Sequence, residues 1–504
     1  MRMNSTWRRF IVFCRVKDTT RVMRKGLVTT FALLGAASAC LGQTVSLDSC
    51  RNMAVRNNKA IRMADESIVG AGYRKKAAFA AYLPGIDFSG TYMYNQRQIE
   101  LLGSDAMLPT MKFDPATGKY NPNILVGPDG IPVKNPETGQ YIPTEVAVIP
   151  KEAMAFDTHN VFAGAFTLTQ PVYMGGRIRA LNQITKYAEQ LAVSLRNSAV
   201  QDVVYAVDEA YWRVVSLKEK KRLARSFVGL VDSLRFNVGA MLKAGVATRS
   251  DSLQVEVKYN EACMALTKVD NGLTLSRMAL AQICGLPVDT QMELADEELN
   301  SADRLPRELT YNMNDVYANR QDLNALRHGI DIAKQKAKLE LGNMLPKVGI
   351  VGAYSFSNPN VIHGFEKRFG GGFSVGAAVT IPLWHWGGKY NQYKAAQSTA
   401  KVAELALADA EEKVELQVSQ AKFSYQEAFK TYEMTMSNMR AATENLRNAE
   451  IGFREGVLTA DDVIGAQTAW LKANSERIDA EIGIRLCNAY LSKVLGTMAY
   501  NQNF

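Results

Sequence analysis

The sequence predicts a mainly α-helical protein that also contributes strands to a membrane β-barrel, and two observations support that prediction. Residues 82–94 recur 262 positions later as residues 344–356, with Gly90 aligned to Gly352, and both copies alternate large apolar or aromatic side chains with small or polar ones. Two proline-free stretches of about 65 residues show the apolar spacing of long helices. The chain is therefore predicted to be internally duplicated, with strands and long helices in each copy.

The N-terminal segment has the pattern of a secretory signal peptide. A charged start at Met23 precedes an apolar stretch and the small residues 37–39. We predict a signal peptide over residues 1–39, with translation beginning at Met23. Cys40 follows directly, and it is either an acylated N-terminal cysteine that serves as a lipid anchor or a residue at an ordinary cleavage point.

The first structural repeat is predicted to span residues 40–288. Its elements are a helical stretch at 46–80, a strand at 85–94, a surface loop at 95–160, a strand at 161–170 and helices at 177–241 and 250–283. Eight of the fifteen prolines lie in the loop, where the similar segments 114–122 and 135–143 predict turns or small hairpins.

The second repeat is predicted to span residues 311–504, after a connecting segment at 289–310. It has a strand within 344–356, a shorter loop at 357–372, a strand at 373–381 and helices at 390–454 and 461–494. The run Gly370 to Gly372 is interpreted as a flexible loop tip before the last strand. Segments 243–251 and 454–462 correspond at a spacing of 211 residues and predict equivalent turns between the long helices.

The strands suit a sheet with lipid on one side and water on the other. Four strands cannot close a barrel and an open edge cannot face lipid, so we predict a trimer with twelve strands. The helices would form a hollow bundle below it. One alternative is a soluble sandwich, against which the further repeated segments argue. The other is a cytoplasmic coiled coil, against which the leader and the lipid-compatible strands argue.

Charge and composition exclude several functional classes. The net charge is +9, but residues 1–43 hold eight Lys or Arg and one Asp, so the mature chain is nearly neutral and a nucleic-acid partner is not expected. The four histidines, His159, His328, His363 and His385, lack metal-ligand spacing. We predict no enzyme activity, no cofactor and no metal. Cys263 and Cys284 are predicted to be small core residues.

The paired strand starts, the paired Pro-to-Gly-Gly segments and the paired Gly-x-x-Thr-x-x-Asp turns resemble the TolC-type outer-membrane efflux proteins. The resemblance extends from Leu47 to Gly496. It implies a homotrimer with a twelve-stranded barrel in outer-membrane lipid and a helical tunnel in the periplasm. It further implies a passive exit duct for efflux or type I secretion, joined by a periplasmic adaptor to an inner-membrane RND or ABC transporter. The alternative is a non-conducting trimeric stalk of the envelope.

The resemblance also suggests functional positions in the turns. Asp462 matches a constriction aspartate of the family, and a periplasmic gate is expected from Asp462, Asp461 and Asp251. The tip turns expected to contact the adaptor contain Gly245, Val246, Gly456 and Val457. The interpretation from the residues alone is that Asp251 and Asp462 cap helices.

The sequence departs from the family's pattern at three positions near the gate. Gly465 stands in place of a second aspartate, Leu458 in place of a latching Arg, and Phe453 in place of a Tyr. A leakier resting state is therefore expected.

Trp384, His385 and Trp386 follow the last strand, and they are either an interfacial aromatic belt or core filling where barrel becomes tunnel.

Overall fold

The computed structural model describes residues 44–295, 310–364 and 366–498. The predicted signal peptide, Cys40 and residues 296–309 of the connecting segment lie outside the described residues. In the first repeat the elements are α1 Leu47–Asn57, α2 Lys59–Ala80, β1 Gly85–Tyr94, β2 Ile99–Glu100, β3 Ala106–Pro109, β4 Met111–Asp114, β5 Lys119–Pro122, β6 Val146–Ile149, β7 Ala155–Phe156, β8 Asn160–Met174, α3 Arg177–Lys243 and α4 Arg249–Ile283.

The second repeat has fewer elements because its loop is shorter. They are α5 Met313–Asn319, α6 Gln321–Leu341, β9 Lys347–Asn358, β10 Gly370–Thr380, α7 Gly388–Arg454 and α8 Ala460–Val494. Both α3 and α7 contain 67 residues, which gives each a length of about 100 Å at 1.5 Å per residue. The four long strands and the paired long helices confirm the predicted duplicated fold.

The structure corrects two local predictions. The helical stretch predicted at 46–80 is two helices, because Asn58 adopts an extended conformation with ψ of 131°. The triple glycine is not a loop tip but the start of β10, where Gly370 pairs with Ser357. A Cβ on Gly370 would overlap the Asn360 side chain, so these glycines permit close approach to neighbouring groups.

The four long strands form one antiparallel sheet in the order β1-β8-β9-β10. Side chains directly opposite one another lie on the same face, so the register defines rows across all four strands. One row consists of Phe88, Phe166, Tyr354 and Phe373, and the adjacent row on the other face consists of Asp87, Thr167, Ala353 and Ser374. The sheet therefore has one aromatic face and one small or polar face.

Glycines leave room for the rings on the aromatic face. The rings of Phe88 and Phe166 are 4.8 Å apart between centroids, and each lies 6.4 Å from the Phe356 ring. Gly164 lies opposite Phe356, and a Cβ there would overlap that ring. The strand glycines are thus steric gaps that aromatic side chains of neighbouring strands fill.

The loop between β1 and β8 is a branched set of short hairpins. Strand β2 pairs with β7, β3 with β6, and β4 with β5. The two similar segments form equivalent turns: Asp114 accepts a hydrogen bond from the Ala116 amide, and Asn135 accepts one from the Glu137 amide, each at 2.9 Å. Turns and hairpins at these positions confirm the sequence-based interpretation.

A duplicated joint holds the short N-terminal helices against the ends of the returning helices. In the first repeat, Asn58 Nδ2 donates to the carbonyl of Ile283 at 3.0 Å. In the second, Arg320 Nη1 donates to the carbonyl of Val494 at 3.1 Å. Each joint satisfies a terminal helix carbonyl that lacks a partner within its own helix.

Glycines with positive φ complete both joints. Gly285 has φ of 73°, and an added Cβ there would lie 2.8 Å from the Asn57 carbonyl oxygen. Gly496 has φ of 70°, and its added Cβ would lie 3.2 Å from the Asn319 carbonyl oxygen. Both positions therefore require glycine for conformation and for space.

The described residues form two compact units, and each takes segments from both repeats. One unit contains the sheet and its flanking helical segments, over Tyr73–Lys186 and Asp331–Lys401. The other is helical and contains the described residues up to Gly72, Tyr187–Ile330 and those from Val402 onward. Repeats and compact units are thus different divisions of this chain.

None of the described helices combines the length and apolar character needed to cross a membrane.

Candidate functional site

The turn between α3 and α4 is built by a glycine in the left-handed region. Gly245 has φ of 76° and its amide donates to the Leu242 carbonyl at 3.0 Å, while the Val246 amide donates to the Met241 carbonyl at 2.9 Å. These two bonds satisfy carbonyls at the end of α3 and reverse the chain direction. The turn between α3 and α4 is hereafter called the first tip turn.

The turn between α7 and α8, the second tip turn, has the same construction. Gly456 has φ of 73°, and its amide donates to the Phe453 carbonyl at 3.1 Å. The Val457 amide donates to the Gly452 carbonyl at 2.8 Å. Each bond corresponds to one in the first tip turn at a spacing of 211 residues.

Both tip turns end in a reciprocal capping box at the start of the next helix. In the first, the Asp251 amide donates to Thr248 Oγ1 at 3.2 Å and the Thr248 amide donates to Asp251 Oδ2 at 2.8 Å. In the second, the corresponding bonds between Asp462 and Thr459 are 3.3 and 2.9 Å. The predicted capping role of both aspartates is therefore present in the structure.

The same contacts favour the ionised form of both aspartates. The hydrogen bond from the Thr248 hydroxyl, followed by that from its amide, lowers the pKa of Asp251 below that of an ordinary aspartate. Thr459 lowers the pKa of Asp462 in the same way. Thr248 and Thr459 were not among the residues predicted for these sites, although the Thr-x-x-Asp spacing is the signal for such a box.

An apolar cluster lies behind the two turns and fixes their position. It includes Phe227 and Val238 of α3, Val255 of α4, Phe453 of α7 and Val463 of α8, all buried. Because each of the four long helices contributes, the two tip turns flank one shared core. The position where the family has a Tyr is therefore filled by a core side chain.

The outer side of each turn carries an exposed apolar residue. Val246 is 72% exposed and Val457 is 79% exposed, whereas Leu458 is 37% exposed and lies against Gly452. Each tip turn therefore presents one exposed valine to solvent.

The acidic residues predicted for a gate are divided between the turns. Asp461 and Asp462 are adjacent and exposed in the first turn of α8, whereas Asp251 lies in the first turn of α4. Gly465 follows one turn later on α8 and adds no charge. Acidic charge is therefore concentrated at the second tip turn.

The aromatic residues that follow β10 are exposed. Trp384 and Trp386 are 73% and 87% exposed, and their rings meet edge to face at 5.7 Å. Trp386 has φ of 49°, an unusual conformation for a residue other than glycine. Neither tryptophan fills the core of this chain.

No cluster of three or more metal-ligating side chains occurs in the described parts of the chain. His159 instead contacts Asp157 at 2.8 Å, and Lys367 also pairs with that carboxylate. Of the two cysteines predicted to lie in the core, Cys284 is fully buried and Cys263 is only partly buried.

Comparison with known proteins identifies the family. The model of the outer membrane efflux protein family matches residues 150–286 and 312–497, which is more than half of the chain. The alkaline protease secretion protein AprF of Pseudomonas aeruginosa is 21% identical over 332 residues, which cover 63% of this chain and 66% of the relative. The chain thus spans just under two thirds of that curated relative.

Solved structures share the fold at low sequence identity. The outer membrane protein VceC of Vibrio cholerae has a TM-score of 0.66 and 14% identity, covering 89% of this chain and 96% of that one. The open state of the MtrE outer membrane channel of Neisseria gonorrhoeae has a TM-score of 0.66 and 16% identity, covering 90% and 91%. The chain belongs to the outer membrane efflux protein family.

Proposed function

We propose that three copies of this chain form a passive exit duct in the outer membrane. The observation that carries the proposal is the four-stranded sheet with one aromatic face and one small or polar face. Within the described residues, β1 and β10 each pair on one side only. An open edge cannot face lipid, so the sheet must close with strands of other copies. Three copies supply twelve strands, more than the eight of the smallest bacterial barrels.

The aromatic face is the surface proposed to contact lipid, and the small or polar face the surface proposed to line the lumen. Ile86, Phe88 and Phe373 are each at least 60% exposed on the first face. Ser89, Thr91 and Ser374 belong to the second, where water is the expected neighbour. Trp384 and Trp386 suit the membrane interface, where amphipathic rings collect. In this arrangement the loop at 95–160 lies on the cell-surface side, and the long helices lie in the periplasm.

The tip turns are proposed to receive a periplasmic adaptor. The exposed Val246 and Val457 supply apolar contacts, and the Gly245 and Gly456 conformations hold them at the ends of the hairpins. The adaptor would connect the duct to an inner-membrane RND or ABC transporter, which supplies the energy. The relative AprF is named for secretion of alkaline protease, and that name favours a secreted cargo over a small drug.

The second tip turn is proposed to be the gate. Three-fold symmetry would gather three copies of Asp461 and Asp462 around one opening, and rings of carboxylates select cations. Asp251 would contribute less, because the segment 243–251 carries this single aspartate together with Lys243 and Arg249.

Conductance decides between a duct and a structural stalk. The purified protein, inserted in a planar lipid bilayer, is expected to give discrete cation-selective channels. Its mass in detergent is expected to be that of three chains. A trimer that never conducts would support the stalk, and a stable monomer that still forms a barrel would contradict the assembly proposed above.

A further inference from the structure

Two cysteines that are far apart in sequence meet in the core of the helical unit. Cys50 lies in α1 and Cys284 directly follows α4, 234 positions away. Both side chains are fully buried, and Cys284 Sγ lies 3.7 Å from the Cys50 carbonyl oxygen. Both belong to the same apolar cluster, together with Ala54 and Leu280. The fold therefore brings two reduced cysteines into contact in the core.

The two thiols also influence each other's ionisation. Their mutual hydrogen bond raises the pKa of Cys50, and burial raises it further. The same hydrogen bond lowers the pKa of Cys284. In the folded chain this hydrogen bond holds the two thiols together, and a thiolate is the nucleophile in thiol–disulfide exchange.

The second repeat shows that the joint does not require thiols for packing. The positions equivalent to Cys50 and Cys284, at spacings of 262 and 211, are Asn312 and Leu495. Leu495 is buried in an apolar cluster and Asn312 caps the start of α5. The same joint is thus built without sulfur, and the facing cysteines are particular to the first repeat.

We propose that Cys50 and Cys284 form a disulfide bond in the exported protein, which joins α1 to the end of α4. The proposal rests on the proposed location in the cell envelope, because disulfides persist in the periplasm and are reduced in the cytosol. Such a bond would close a loop that contains β1, β8 and both long helices of the first repeat. It would restrict the unfolded chain and so stabilise the helical unit.

The oxidant required is a protein thiol–disulfide oxidoreductase in its disulfide form. The thiolate of either cysteine attacks one sulfur of that disulfide, which forms a mixed disulfide and releases the other sulfur as a thiolate. The second cysteine, once deprotonated, attacks the sulfur of the first and displaces the sulfur of the oxidant. The chain loses two electrons and two protons, and the oxidant becomes a dithiol. Because both thiols are buried in the folded chain, this exchange takes place before the core closes.

Peptide mapping of the wild-type protein tests the bond directly. Cells are lysed in the presence of N-ethylmaleimide and the outer-membrane fraction is isolated. The protein is then denatured with fresh N-ethylmaleimide, which reaches buried free thiols, and is digested without reduction. The expected product is a linked peptide pair containing Cys50 and Cys284, while Cys263 and Cys487 carry the alkyl group. Alkylated Cys50 and Cys284 in protein from that fraction would overturn the disulfide. The proposed function would then still stand, since location and conductance are measured separately.

Thermal unfolding gives a second measurement. In detergent, complete reduction is expected to lower the Tm of the wild-type protein by a few degrees, and Cys284→Ala is expected to be insensitive to reductant. Cys263→Ala, which removes a thiol outside the pair, is the matched control and should keep the wild-type response. A wild-type Tm that is unchanged after verified reduction of the Cys50–Cys284 pair would contradict a stabilising bond.

Discussion

The two tip turns have the same backbone and different surfaces. Each contains a glycine with positive φ at the end of one helix and a Thr-x-x-Asp capping box at the start of the next. In the first turn, Lys243 and Arg249 accompany Asp251. In the second, Arg454 accompanies Glu455, Asp461 and Asp462. Duplication has thus preserved the residues that fix the backbone and has let the surface charge diverge.

The packing inside the turns has also diverged, in a compensating way. The first turn has Met241 and Ala247 where the second has Gly452 and Leu458. A Cβ on Gly452 would lie 2.8 Å from Leu458 Cδ1. The large side chain has therefore moved from the helix to the turn, and the helix position opposite it has become glycine. One backbone accommodates both arrangements because the total volume is similar.

The largest difference in stability between the two turns should appear when the side chain three residues before each turn glycine is truncated to alanine. Phe453→Ala is expected to lower the free energy of unfolding by about 3–4 kcal/mol, because the ring is buried in the shared core. The matched variant Leu242→Ala should cost about half as much, because Leu242 is only partly buried. Denaturant titration in detergent measures both, and equal losses would contradict the asymmetric packing.

The exchange of volumes can be tested by reversing it in the second turn. Gly452→Met alone is expected to cost about 1–3 kcal/mol, because the new side chain meets Leu458. Adding Leu458→Ala recreates the arrangement of the first turn and should recover most of that loss. A double-mutant cycle with no coupling between the two changes would show that they do not compensate each other.

The two capping boxes should lose similar amounts of stability when their threonines are replaced. Thr248→Ala and Thr459→Ala each remove the side chain that accepts a hydrogen bond at a helix start, and each should cost about 1 kcal/mol. Thermal unfolding of the two single variants and of the double variant compares them. A clear difference between the single variants would mean that one box is supported by contacts the other lacks.

Acid should weaken both boxes over the same range of pH. The pKa values of Asp251 and Asp462 are lowered in the folded chain. Their contribution is therefore complete above the ordinary aspartate pKa, and it is lost as the pH falls through the lower folded values. The free energy of unfolding is measured between about pH 5 and pH 2, a range that brackets the ordinary aspartate pKa of about 3.9. It should fall less steeply with falling pH in Thr459→Ala than in the wild type. If the slope of stability against pH is the same in Thr459→Ala and in the wild type, the threonine contacts do not cause the lowered aspartate pKa.

The smallest change in stability is expected from Asp461→Asn, yet it should alter the pore. Asp461 is exposed and lies outside the capping box, so its neutralisation should leave the Tm unchanged. Single-channel recording should show weaker cation selectivity and weaker block by divalent cations.

Two companion variants complete the gate test. Asp462→Asn should reduce selectivity and also lower the Tm, since the residue belongs to a cap. Asp251→Asn should lower the Tm and change selectivity less than Asp462→Asn, because Asp251 is the single acidic residue of the first tip turn, which also carries Lys243 and Arg249. If Asp461→Asn and Asp462→Asn both keep wild-type selectivity, the second tip turn is not the gate.

Most of the helices and strands are predictable from the sequence because their signals are local. The strand at Gly85–Tyr94 and the 67-residue helices follow from side-chain periodicity and from the absence of proline. Glycine between the long helices predicted the tip turns, and the family resemblance selected Asp462. The extended conformation of Asn58 was missed, since a single helix break has no local signal as strong as proline or glycine.

By itself, the sequence determined the duplication, the element order and the turn chemistry, because periodicity, glycine and Thr-x-x-Asp spacing act within a few residues. Tertiary structure decided the contacts that join distant positions. Gly370 begins a strand because it pairs with Ser357, and the Asn360 side chain leaves no room there for a Cβ. Cys50 meets Cys284 because a duplicated joint brings α1 to the end of α4. Such contacts depend on how elements pack after they form, and no window of neighbouring residues encodes that packing.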